Sequence, residues 1–175
     1  MINWKLASFC SFIAVIIISC TSYKHVRYET IYKGNEKTLK GVINRQVIET
    51  DTSFPWFKEN MKWGRNDADA LNTFKTKHKL FNIIIFGGTW CEDTQNLLPK
   101  FYKLVDESGY PENQILLLGV DRKKNTIDSL NIRYKISKVP TFIILHKGKE
   151  VGRVVEYGTK GDVNNELADI VNSIQ

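Results

Sequence analysis

The stretch GGTWCEDTQ, residues 87–95, decides how this chain is read. It follows LFNIIIF (80–86), a short apolar run rich in β-formers, which reads as a buried strand ending at Gly87-Gly88. Behind it comes EDTQNLLPKFYKLVDESG, where Leu97, Leu98, Phe101, Leu104 and Val105 recur at helical spacing and Gly109 supplies a stop. Pro99 falls inside this helix and is expected to kink it. The unit is therefore strand, tight turn, Trp90, Cys91, helix. Three residues after Cys91, where a second cysteine would complete a C-x-x-C pair, stands Thr94.

Toward the C-terminus the pattern continues. QILLLGVD (114–121) reads as a second buried strand, and NTIDSLNIRYKI as a short helix capped by Asn125. VPTFIILHKGKEVGRVVEYG (139–158) reads as a hairpin turning at His146–Lys149, with Arg153 and Glu156 able to pair across it. GDVNNELADIVNSI (161–174) closes the chain as an amphipathic helix. Toward the N-terminus the signals weaken. Asn66-Asp67 can cap a helix through ADALNTFKTK, and Pro55 suits a helix start. Phe54, Trp56, Phe57 and Trp63 form an aromatic cluster suited to packing. LKGVINRQVIETD (39–51) is ambiguous between strand and helix. The order helix, strand, helix, strand, helix, strand, strand, helix implies two parallel central strands with an antiparallel hairpin at one side.

The first residues read differently. Lys5 precedes LASFCSFIAVIII, an apolar run too short for the ~20 residues of a spanning helix and of the length of a secretory signal. Ile17-Ile18-Ser19-Cys20 resembles the lipobox of bacterial lipoproteins. That resemblance implies cleavage after residue 19, a lipid such as palmitate on Cys20, and a membrane partner through that lipid. The polar segment to about residue 38 then suits a tether, leaving residues 39–175 as the domain. The 3 cysteines reduce to one thiol, Cys91, which excludes an internal disulfide. Cys91 is then either a reactive thiol or a small buried hydrophobe. The net charge of +6 is spread thinly; KTKHK (75–79) and DRKK (121–124) are mixed with acids and read as solvated surface rather than as a nucleic-acid or lipid-binding patch.

Residues 80–175 resemble the thioredoxin fold. Thr89-Trp90-Cys91 follows the first central strand, Val139-Pro140-Thr141 precedes the hairpin, Lys147-Gly148 forms its tip and a helix comes last. The resemblance implies an α/β domain with a central mixed sheet flanked by helices, a C-terminal β-hairpin and helix, and a cis Val139–Pro140 bond facing Cys91. More narrowly the chain is similar to thioredoxin-family lipoproteins with a W-C-x-D-S/T motif. That motif nominates Cys91, Thr94, Asp93 and Trp90 as catalytic, and Val139, Pro140 and Thr141 as the substrate-binding strip. It implies no cofactor and no metal. Two departures stand out: Thr94 replaces the resolving cysteine, and Ile85 stands where the family places a buried acid.

A cysteine at a helix N-terminus meets unpaired N–H groups and the positive end of the dipole, both of which favour thiolate. The Thr94 hydroxyl, one turn on, is positioned to donate to the sulfur, whereas Glu92 and Asp93 oppose the dipole's help. One thiol can attack a disulfide, but an outside thiol must then release the product. Expected partners are thiol or disulfide proteins of a bacterial cell envelope, at the periplasmic face of the outer membrane, or small thiols. The rival is a non-catalytic peptide-binding module. A one-cysteine peroxidase pattern fails, because Ile84 and Gly88 stand where Pro and Thr/Ser are required. His25, His78 and His146 are poorly placed to serve Cys91, and one thiol with scattered histidines falls short of a metal site.

Overall fold

The computed structural model describes residues 26–175. The expected signal segment, Cys20 and the first tether residues lie outside that range. Six strands form one sheet: β1 (Arg27–Lys33), β2 (Glu36–Ile43), β3 (Asn82–Gly87), β4 (Ile115–Gly119), β5 (Thr141–His146) and β6 (Lys149–Val155), in the order β1-β2-β4-β3-β5-β6. Only β3 and β4 run parallel, with Gly87 opposite Gly119; the other neighbours are antiparallel. The helices are α1 (Arg45–Glu49), α2 (Trp56–Met61), α3 (Ala68–Lys77), α4 (Glu92–Ser108), α5 (Leu130–Arg133) and α6 (Val163–Asn172). The thioredoxin-like architecture read from the sequence is therefore the one observed.

Alternation in the central strands sends their side chains to two cores. Ile83 and Ile85 of β3 join Leu97, Phe101, Phe74 and Leu167 under α3, α4 and α6. Ile84 and Phe86 point the other way and meet Leu118, Val120 and Ile143, covered by the chain from 120 to 140. Phe57 is buried in an aromatic run with Tyr102 and Trp56, so the cluster at 54–57 packs as expected. Trp63 instead stands in solvent.

Several expectations need correction. Residues 27–38 are not a tether: β1 and the first part of β2 form a hairpin that is part of the domain's sheet. Every residue of β1 is exposed, so no apolar alternation marked it. The ambiguous segment 39–51 is both things, the end of β2 followed by α1. Asn125 caps no helix, because α5 starts only at Leu130; Asp121 Oδ1 instead accepts the N–H groups of Lys123 and Asn125 in a loop. Arg153 forks onto Glu150 and Glu156 pairs with Lys138, so the Arg153–Glu156 pair does not form.

Pro99 does not interrupt α4, which runs 17 residues through it. A proline removes the N–H that would bond the carbonyl four residues back. That carbonyl belongs to Gln95, and Asn60 Nδ2 of α2 donates to it at 3.0 Å. The vacated acceptor is satisfied from a neighbouring helix, and Gly109 closes α4 with left-handed φ of 69°.

Candidate functional site

Cys91 is the N-cap of α4 and is half-buried. It is the one cysteine among the described residues. The turn that presents it is tight: its N–H donates to Gly88 O at 2.9 Å, and its carbonyl accepts from Gln95 N at 2.9 Å. Gly88 is required there, since a Cβ would lie 2.6 Å from the Trp90 ring. Gln95 Nε2 reaches back to Thr89 O at 2.8 Å and Trp90 Nε1 donates to Val120 O at 3.0 Å, tying the turn to its own helix and to the end of β4. Thr89 fixes the other side: its hydroxyl donates to Lys37 O at 3.0 Å and accepts from Leu39 N at 3.2 Å, both in β2.

The Val139–Pro140 bond is cis, and this segment faces the cysteine. Cys91 Sγ donates to Val139 O at 3.2 Å. Val139, Pro140 and Thr141 are all buried. Pro140 O accepts from Glu156 N at 2.7 Å, and the Thr141 hydroxyl donates to Lys138 O at 2.7 Å. The structure thus brings Cys91, Trp90 and the Val139–Thr141 segment together.

Thr94 is elsewhere. It is 1% exposed, and its hydroxyl accepts from Gly88 N at 3.2 Å. The expected bond from Thr94 to the sulfur does not form. Pointing back along the helix, as side chains of a first turn do, Thr94 lands beneath the Gly87-Gly88 backbone, where a Cβ on Gly87 would already be 3.0 Å from its methyl. Thr94 therefore shapes the turn, and the sulfur's partner is the Val139 carbonyl. Ile85, at the position of the family's buried acid, is fully buried between Leu117 and Phe142 and brings no proton carrier. His78 and His146 bond Lys75 O and Leu80 O respectively.

The charged rim escaped the sequence reading. The DRKK run is solvent-exposed at Arg122 and Lys123 as expected, yet Arg122 and Lys124 lie 5.0 Å and 5.8 Å from the centre of the Trp90 ring. Arg122 forks onto Glu36 at the start of β2, and that bond, with a smaller contribution from the Cys91 sulfur, holds the guanidinium above its ordinary range. Lys138 is raised by its bond to Glu156 and, more weakly, by Asp93. The basic run after a buried strand, beside a Gly-Gly-x-Trp turn, was the signal available for this contact. Among the described residues no group of three or more His, Cys, Asp or Glu side chains is arranged to hold a metal, and no helix is long and apolar enough to cross a membrane.

Comparisons with known proteins bear on this site. A family model described as thioredoxin matches residues 66–169, more than half of the chain. A thioredoxin from Echinococcus granulosus is 31% identical over 90 residues, covering 51% of this chain and 77% of that protein. The TPR repeat-containing thioredoxin TDX of Arabidopsis thaliana is 27% identical over 103 residues, covering 59% of this chain. The matched part is 25% of the Arabidopsis protein's own length. Among solved structures, an HIV epitope-scaffold superposes with a TM-score of 0.50 at 15% identity, over 70% of this chain and 84% of that one, which speaks to fold alone.

Proposed function

The chain belongs to the thioredoxin family, and from that premise we propose that it carries out thiol–disulfide exchange or isomerisation through Cys91 alone. The observation that carries this reading is the half-buried Cys91 sulfur at the head of α4, 3.2 Å from the Val139 carbonyl beside the cis proline, with no second cysteine among the described residues. The Cys91 thiol gives its proton to solvent. The thiolate attacks one sulfur of a substrate disulfide, forming a Cys91–substrate disulfide while the other substrate sulfur leaves as thiolate. A thiolate from the substrate or from a small molecule then attacks the substrate sulfur of that mixed disulfide. This makes a new substrate disulfide and returns Cys91 as thiolate. The two steps balance with no net electron transfer to the protein. Val139, Pro140 and Thr141 form the wall along which an extended substrate lies, and Trp90 shields the sulfur's other side.

The setting we propose is the bacterial envelope, with the chain held to a membrane, at the periplasmic face of the outer membrane, by lipid on Cys20. The support is the sequence Ile17-Ile18-Ser19-Cys20 at the end of an apolar run. Envelope proteins bearing thiols or disulfides, or small thiols, are the partners. Asp93 and Glu92, in the first turn of α4, offset the dipole's support of a negative charge on the Cys91 sulfur. A second reading, a peptide-binding module without chemistry, is favoured by one observation: Cys91 packs against the apolar cluster of Phe86, Val120 and Val139.

Incubation of the full chain with a small disulfide such as oxidised glutathione tests the choice. The expected result is a mixed disulfide mapped to Cys91 in the native protein and lost at that site in Cys91→Ser. An adduct at Cys91 that forms only after denaturation would overturn the exchange reading in favour of the binding module.

A further inference from the structure

β1 is an open edge of the sheet, guarded only by its charged residues Arg27, Glu29 and Lys33. Its residues Arg27–Lys33 pair with β2 on one side only, and all seven are exposed. Of the large hydrophobics exposed among the described residues, Tyr28, Ile31 and Tyr32 lie on this strand and Val26 directly precedes it. It contains no proline and pairs with β2 without a bulge. Such an edge offers a row of N–H and C=O groups to another chain.

The charges on β1 are what select the partner. Glu29 stands opposite Lys40 of β2, and Lys33 opposite Glu36. Lys40 is in turn paired with Asp121, and Glu36 with Arg122. Each row across the hairpin therefore alternates in sign and stops at the open edge, one row in an acid and the other in a base. When β1 is laid antiparallel on a second β1 about a two-fold axis through Ile31, Glu29 falls opposite Lys33 of the second copy, and Lys33 opposite its Glu29. The rows then join into one alternating series: Asp121, Lys40, Glu29, then Lys33, Glu36 and Arg122 of the second copy. Ile31 meets Ile31, and Tyr32 meets Thr30. Shifting the axis one residue toward Thr30 sets Arg27 against Lys33, and shifting it to Glu29 sets two glutamates together, both of which like-charge repulsion disfavours.

We propose that β1 is a self-recognition surface, through which two copies of this chain join edge to edge into one continuous sheet about the Ile31 two-fold. The register is set by the two Glu29–Lys33 pairs, and the exposed Ile31 and Tyr32 are covered by the pairing. The surface is independent of the exchange chemistry at Cys91, although the charge series ends at Arg122 over the Trp90 ring.

Sedimentation velocity on the full chain tests this with Glu29→Lys and Lys33→Glu. Each variant alone sets like charges opposite one another and is expected to weaken self-association by roughly tenfold or more. Mixed together, the two variants restore opposite charges at both positions between the copies and are expected to recover much of the association that each has lost, short of the unsubstituted dimer because each now faces a like charge on its own β2. Recovery on mixing also shows that both variants are folded. An unsubstituted chain that stays monomeric at high concentration, or a dimer indifferent to either substitution, or variants that fail to recover on mixing while retaining unsubstituted circular dichroism, would overturn the proposal.

Discussion

β3 has a strand on each edge and a core on each face, whereas β1 has one neighbouring strand and no buried residue. Both belong to the same sheet, and the contrast shows how the molecule divides its work. The cysteine turn grows from the end of β3, where Val120 N–H bonds Gly87 O and the Gly88–Thr94 contact closes the corner. Geometry at the sulfur is thus set by the most enclosed part of the fold. The β1–β2 hairpin is joined to the rest through the Thr89 hydroxyl, the short β2–β4 ladder and three ion pairs, Lys37–Asp51, Lys40–Asp121 and Glu36–Arg122. β2 also sends Leu39 and Ile43 into the main core, so the hairpin's attachment is both apolar and polar, while the outer strand β1 contributes no buried side chain.

The largest effect that separates the two regions is a truncation in the centre. Ile85→Ala removes a fully buried side chain and is expected to cost about 2–5 kcal/mol in chemical denaturation. A loss below 1 kcal/mol, by the scale of ordinary surface substitutions, would mean that β3 is not the rigid support described.

Acid sharpens the contrast at intermediate size. Glu36 is held below its ordinary carboxyl value of 4.5 by the Arg122 bond. Asp51 and Asp121, despite burial that acts to raise them, are held below 3.8, Asp51 by Lys37 and the Ser53 N–H, Asp121 by Asn125, the Lys123 N–H and Lys40. A carboxylate lowered by folding stabilises the fold above its unfolded value, and that stabilisation is lost as pH falls through the lowered one. As pH falls below those ordinary values and through the lowered ones, the hairpin should therefore loosen before the centre does. Hydrogen exchange, corrected for its intrinsic pH dependence, is expected to lose protection in residues 27–38 while residues 82–87 keep theirs. Equal loss in both would mean that the ion pairs do not hold the hairpin.

The smallest effect lies at the edge. Ile31→Ala, at a position 40% exposed, is expected to change the stability of the monomeric chain by no more than about 0.5 kcal/mol. A loss comparable to that of Ile85→Ala would show that β1 packs against something within its own chain.

What was legible in the sequence follows the same division. β3, β4 and β5 are buried on both faces and read as apolar runs, and α4 and α6 bury one stripe each and read as periodic. β1 buries nothing, so its strand character lies in backbone pairing that no residue pattern reports, and it was mistaken for a tether. Within the site, the cis Val139–Pro140 bond beside Cys91 followed from the family resemblance. The role of Thr94 did not, because spacing places a residue on a helix turn without saying which of two nearby groups its hydroxyl meets. In the fold the hydroxyl oxygen accepts from Gly88 N–H, with the methyl packed under Gly87, and the bond to the Cys91 sulfur does not form. The Arg122–Trp90 contact was equally hidden, since it joins residues 32 positions apart through Glu36 on a third segment.

The central claim is that Cys91 performs half of an exchange and depends on an outside thiol for the rest. The direct test is to purify the Cys91 mixed disulfide of the full chain with glutathione and follow its decay by mass spectrometry, without and with added thiol. The expected result is an adduct that persists alone and is released promptly when thiol is supplied. Release at the same rate without any added thiol would contradict the claim, because it would require a resolving group within the chain itself.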